Sequence, residues 1–209
     1  MRPIPRLHAV TDQRTLADPD LGRKAAALAA LGPATALHLR DRHATTAHLA
    51  EVGRRFAALV RPPEASMIVN ARADLARALG AEGVHLGGFD LAPADARTVL
   101  GKGWIGRSVH SVDEASAAID EGADYLFAGN VFDTTPPPDR PGAGLRLVEG
   151  CSALGRPVIA IGGVTAKRVA SCREAGAWGV AAIRALWDSE DPYAAGAELL
   201  APWREGDAA

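Results

Sequence analysis

His38 and Arg40 sit two residues apart in Leu37-His38-Leu39-Arg40-Asp41-Arg42. That spacing puts both on one face of an extended strand. An arginine turned inward needs an anion or a carboxylate, so the pair points to an anionic ligand. Asp12 and Asp41 are the competing partners, and either would make Arg40 a structural ion pair. Gly162-Gly163 closes the apolar run Pro157-Val158-Ile159-Ala160-Ile161. Glycine there lets a ligand approach bare backbone N–H groups, and such groups at a helix start bind phosphate. Arg184 follows the next apolar run. Asn70 and Arg72, Ser108 and His110, and Asn130, Thr134 and Thr135 each follow another such run. His85 stands alone among apolar neighbours and reads as a hydrogen-bonded core histidine more than a catalytic one. Asp90 is either a ligand or the cap of the helix after it. The sequence holds no zinc spacing, no Ser-His-Asp order and no P-loop.

These residues share one feature of position: each lies at the C-terminal end of a strand-like run. The runs are 6–11, 35–40, 66–70, 83–86, 104–109, 123–129, 157–163 and 179–183. Helical patterns follow at 21–31, 45–60, 73–79, 93–100, 111–120, 145–154, 166–175 and 192–203. Short β-branched runs fit strands buried on both faces, and eight such units in alternation predict a parallel sheet. An open doubly wound sheet is the rival of a (β/α)8 TIM barrel. Eight units and paired phosphate-type strand ends favour the barrel, as one domain over 1–209. Ser111 and Glu114 are spaced as a capping box. Residues 130–144 are irregular and proline-rich, including Pro136-Pro137-Pro138.

The 209 residues are 48% hydrophobic, enough for one large core, and the formal charge of −2 is spread along the chain. Neither a polyanion-binding surface nor a stacking platform for single strands is expected, so nucleic acid is excluded as a partner. Cys151 and Cys172 read as reduced structural thiols. With no signal-like or membrane-spanning run, the expected place is the cytoplasm, away from membranes. Trp187 and Trp203 are candidates either for an interface between copies of the chain or for covering the barrel's edge.

Leu7-His8-Ala9-Val10-Thr11-Asp12, the run 37–42, Val69-Asn70-Ala71-Arg72-Ala73-Asp74, Gly83-Val84-His85-Leu86, Gly106-Arg107-Ser108-Val109-His110-Ser111, Gly122-Ala123-Asp124-Tyr125 and Val158–Gly163 occur in the order of the thiamine phosphate synthase/TenI family, which the chain resembles from Leu7 to Leu186. The resemblance implies a (β/α)8 barrel that binds a thiazole phosphate. It places the phosphate at Gly162, Gly163 and Arg184, the last where relatives more often carry Ser.

The family holds two chemistries. Synthases join a pyrimidine pyrophosphate to the thiazole, with Mg2+ and cationic side chains on the leaving group. They have Gln-x-Arg-x-Lys where this chain has His38, Arg40 and Arg42. Their Asn-Asp pair is Asn70-Ala71 here, so one Mg2+ ligand is missing and Asp90 is the other. A Lys of the loop after the sixth strand is also absent. The His-x-Arg-x-Arg ending and the run 106–111 look more like the TenI branch, whose thiazole tautomerases move a proton and need no cofactor. That branch's catalytic His is Asn130 here, which can hydrogen-bond but not relay a proton. The expectation is therefore a TenI-like isomerase with Asn130, His38 and His110 as catalytic candidates. Arg40, Arg42, Asn70, Ser108, Gly162, Gly163 and Arg184 are its substrate-binding candidates. A divergent synthase using Asp90 and Mg2+, and a non-catalytic thiazole-phosphate binder, are the alternatives.

Overall fold

The computed structural model describes residues 2–60, 64–134 and 141–204. Eight strands close into one parallel ring: β1 (Leu7–Val10), β2 (Thr35–Leu39), β3 (Ser66–Asn70), β4 (Gly83–Leu86), β5 (Trp104–Val109), β6 (Tyr125–Ala128), β7 (Val158–Ile161) and β8 (Gly179–Ala182). They are ordered β1 to β8, and β8 pairs back to β1 at Leu7 opposite Val180. This is the expected (β/α)8 barrel. Four to six residues per strand suffice because each is buried on both faces, one against helices and one against the barrel's interior.

The helices are α1 (Gln13–Leu16), α2 (Leu21–Ala29), α3 (Thr46–Leu59), α4 (Ala73–Leu79), α5 (Pro93–Leu100), α6 (Val112–Asp120), α7 (Leu145–Ser152), α8 (Val169–Glu174), α9 (Arg184–Trp187) and α10 (Pro192–Arg204). The single turns α1 and α9 escape sequence periodicity because four residues are too few to show it. Asp12, Thr45 and Ser111 cap α1, α3 and α6, each accepting the backbone N–H three residues on. The capping box at α6 reaches one residue farther than expected. Glu114 accepts the N–H of His110, 2.7 Å away, rather than that of Ser111. α8 starts three residues later than its pattern, because Thr165 O takes the N–H of both Arg168 and Val169 in a preceding turn.

Inside the ring, Val10, Ala36, Ile68, Trp104, Tyr125, Phe127, Ile159 and Ala181 form one apolar plug. His8, His38 and His85 are buried within it. His85 lies 4.0 Å from Phe127 between ring centroids, and His8 meets Phe127 edge-on at 5.2 Å. Gly106 makes room for these rings, since a Cβ there would come 2.2 Å from Tyr125 and 2.5 Å from His85. Trp187 and Trp203 are both buried. Trp187 packs near Phe56 and Trp203 is buried from α10, so both cover the barrel's flank. Cys151 and Cys172 are free and buried. No helix among the described residues is long and apolar enough to cross a membrane.

Candidate active site

A cavity of about 1020 Å3 opens over the C-terminal ends of the strands. All strands run parallel, so their C-terminal ends converge on one rim, where each following loop supplies its first residues. Every substrate-binding candidate lines it: Arg40, Arg42, Asn70, Ser108, Gly162, Gly163 and Arg184. Asn130 and His110 line it too. Two arcs of the rim carry cations. One holds Arg40 and Arg42 after β2, and the other holds Arg168 and Arg184 after β7 and β8.

Arg40 is half-buried, and among the described residues no carboxylate lies within ion-pair distance of it. Asp12, a candidate partner, instead accepts both the N–H and the hydroxyl of Thr15 at 2.9 Å. Asp41 accepts the N–H of His43 at 2.8 Å. Burial and the neighbouring Arg42 charge lower the Arg40 pKa, against the pull of Asp12, Asp41 and Asp90. A desolvated cation in this state gains from an arriving anion.

The glycine pair is held by its neighbours. Gly162 and Gly163 have φ of +99° and +64°, a region that disfavours side chains. A Cβ on Gly162 would meet Asn130 Cα at 2.7 Å, and one on Gly163 would meet Phe132 Cβ at 2.9 Å. Among the described residues none accepts the N–H of Gly162 or Gly163, so both donors remain for a ligand. Arg168 Nη1 donates to Gly163 O at 2.8 Å, and its guanidinium stands 4.8 Å over the Phe132 ring. Sequence reasoning missed Arg168. Its only signal is a basic residue in the first turn after the glycines. Arg14 and Asp188, also at the rim, pair at 3.5 Å across exposed surface.

The three catalytic candidates do not form a cluster. His38 is fully buried and does not line the cavity. Its Nε2 lies 2.8 Å from His8 Nδ1 and its Nδ1 2.9 Å from Asn70 Oδ1, so Asn70 stands between it and any ligand. Burial pushes its pKa down to about 4, with the Arg40 charge helping and the Asn70 contact opposing. This corrects the assignment of His38 as a group that touches substrate. His110 is exposed at the rim, its Nδ1 3.3 Å from Glu114 Oε2. Asn130 faces the cavity beside Gly162. His85 is buried and hydrogen-bonded as expected of a core histidine, with Ser108 Oγ at 2.9 Å and Tyr125 hydroxyl at 3.3 Å, yet it also lines the cavity. Burial, then the neighbouring His38 and His8, lower its pKa strongly. Thr134 lines the cavity, whereas Thr135 lies outside the described residues.

Asp90 does not cap α5, whose cap position is Ala92 followed by Pro93. Its Oδ2 accepts the Gly87 N–H at 2.6 Å, which closes the turn after β4. Ala71 occupies the left-handed region with φ +66°, where Asn, Asp and Gly are the usual residents. Among the described residues no three His, Cys, Asp or Glu converge as a metal cage.

The thiamine monophosphate synthase family model matches residues 7–186. The thiamine-phosphate synthase of Salinispora arenicola is 41% identical over 206 residues, covering 96% of this chain and 98% of the relative. That of Chloroflexus aurantiacus is 36% identical over 203 residues, covering 94% and 91%. The structure of thiamine phosphate pyrophosphorylase from Pyrococcus furiosus superposes with a TM-score of 0.83 at 33% identity, over 96% of both chains. The first two carry the synthase name and the third that of a pyrophosphorylase, and none the tautomerase function expected first. The chain belongs to the thiamine monophosphate synthase family.

Proposed function

We propose that the protein is a thiamine-phosphate synthase, joining a hydroxymethylpyrimidine pyrophosphate to a thiazole phosphate. The observation that carries this reading is one cavity with two cationic arcs. Two anionic substrates need two anion sites within reach of each other, and the relatives bear the matching name.

In the proposed reaction the bond between the pyrimidine's methylene carbon and the pyrophosphate oxygen breaks, and the pyrophosphate keeps the electron pair. The thiazole nitrogen donates its lone pair to the same carbon, forming the C–N bond and leaving the ring positively charged. Arg40 and Arg42 serve the pyrophosphate, where negative charge grows as the bond breaks. The N–H groups of Gly162 and Gly163, with Arg168 and Arg184, serve the thiazole phosphate and fix its ring for in-line attack. No general base is needed, which agrees with Asn130 at the cavity and His38 beneath it.

Asp90 would offer a divalent cation one hard oxygen donor: its Oδ2 accepts the Gly87 N–H and its charge acts on Arg40, although it is not among the residues that line the cavity. Mg2+ is commonly held by one or two carboxylates plus substrate phosphates, so an all-protein cage is not required. When bound, Mg2+ would neutralise charge on the departing pyrophosphate.

The test is formation of thiamine phosphate by the purified protein from the two half-molecules with Mg2+. Product formed well above the enzyme-free rate is expected. No product with Mg2+ present, together with aromatisation of the carboxylated thiazole phosphate tautomer, would replace the synthase by the isomerase.

A further inference from the structure

A second cavity, of about 450 Å3, lies at the opposite end of the barrel. Arg6, Arg156 and Trp178 line it, and each stands just before a strand, β1, β7 and β8 in turn. The strands themselves separate it from the reaction cavity. Val158 lines the one and Ile161 the other, roughly 10 Å apart at the rise of a parallel strand.

The lining of this cavity is cationic without compensation. Arg6, Arg156 and Arg173 contribute to it, and no Asp or Glu does. Among the described residues, the guanidinium groups of Arg156 and Arg173 have neither a hydrogen bond nor an ion pair. Arg6 is held in place: its guanidinium lies 3.4 Å from the Trp178 ring centroid, and Nη1 donates to Trp178 O at 2.7 Å. The Trp178 indole N–H is fixed in turn by Ile4 O at 2.8 Å. A guanidinium already stacked on a fixed ring gives up little freedom when an anion arrives. Arg173 stands in the last turn of α8, where a cation also complements the helix dipole. That role calls for a cation at one helix end and does not account for three arginines on one cavity.

We infer that this cavity is a second anion site, which takes a phosphate group, either free or on a small organic body. Three guanidinium groups carried by three separate segments suit an anion with oxygens pointing in several directions. A phosphate has them, whereas a carboxylate presents two in one plane. Trp178 and Trp203 add an apolar wall for an organic body. The site rests on its own residues and not on the synthase reading.

NMR with 15N labelling of the intact protein, titrated with inorganic phosphate at constant ionic strength, tests the site. The Trp178 indole N–H and the amides of Gly155 and Gly176, all at the cavity, should shift and saturate. In the double variant Arg156→Ala/Arg173→Ala the apparent Kd at these reporters should rise about tenfold. Any response at Gly162 and Gly163 should stay as in the wild type. Both substituted side chains are exposed, so the fold is kept. Absent shifts, shifts that never saturate, or shifts unchanged in the double variant would overturn the site.

Succinate at the same ionic strength should bind about tenfold more weakly than phosphate. Equal binding of the two would overturn the phosphate assignment. Phenyl phosphate separates the two sources of the group. Tighter binding than inorganic phosphate assigns an organic phosphate seated on Trp178 and Trp203, and equal binding assigns the free anion.

Discussion

Ala71 is the position at which this chain departs from a site with paired carboxylates, and Asp90 is the carboxylate it keeps. Asp90→Asn keeps an oxygen for the Gly87 N–H but removes the charge. Mg2+-dependent coupling should fall on the order of 100-fold with little change in melting temperature. Ala71→Asp puts a second carboxylate where the backbone, at φ +66°, suits Asp better than Ala. The Mg2+ concentration giving half-maximal rate should drop roughly tenfold, as an added ligand charge tightens a cation site. At the other arc, Arg168→Ala should raise KM for the thiazole phosphate roughly tenfold and leave KM for the pyrimidine pyrophosphate unchanged. Arg168→Lys should recover only part of this, since a lysine holds phosphate as a point charge. Initial rates with one substrate varied at a time separate these outcomes. That Arg40 shares a face with His38 was legible from alternation, whereas its lack of an ion pair with Asp12 or Asp41 was not. Arg168 was not, because nothing in the sequence says that a basic residue in a turn will fold back onto the glycine carbonyl.

β7 and β8 and the turns that follow them show how far local pattern reaches. The runs 157–163 and 179–183 were readable as buried strands, the first ending in Gly162-Gly163, and the structure has strands at Val158–Ile161 and Gly179–Ala182. The reason both glycines are required lies in contacts from the β6 exit, with Asn130 and Phe132 packed where Cβ atoms would go. Such contacts join residues about thirty apart in sequence and leave no local trace. Gly162→Ala should cost about 1–3 kcal/mol of stability from its positive φ and the Asn130 clash. It should also weaken thiazole phosphate binding, and chemical denaturation paired with calorimetry would register both. An unchanged midpoint would mean that the β6 exit yields easily and is not what holds the phosphate turn. The hydrogen-bonded run from His8 through His38 to Asn70 was equally hidden. His8 reads as one more apolar-run histidine until the Pro5 carbonyl is seen beside its Nε2.

The barrel as a whole carries three histidines neutral in its interior, and this shapes its response to acid. Their pKa values are lowered in the folded state, His38 to about 4, whereas in the unfolded chain they titrate near 6.5. Below about pH 6.5 the unfolded chain therefore binds protons that the folded one does not. Stability should be full above that pH and decline as pH falls toward 4, by up to about 1.4 kcal/mol per pH unit for each histidine. Denaturant midpoints at pH 7.5, 6 and 5 would show it; a flat profile would mean the histidines accept protons inside the barrel. The eightfold architecture was legible because each βα unit announces itself by composition. The choice between isomerase and synthase was not, because the tautomerase expectation leaned on motif likeness at 38–42 and 106–111, and likeness does not say which side chains reach the cavity, as His38 does not. The most direct measurement is 31P NMR of the purified protein with both half-molecules and Mg2+. Free pyrophosphate should accumulate in step with thiamine phosphate, and only when both substrates are present. A spectrum unchanged over hours, at protein concentrations that saturate with thiazole phosphate, would contradict the synthase.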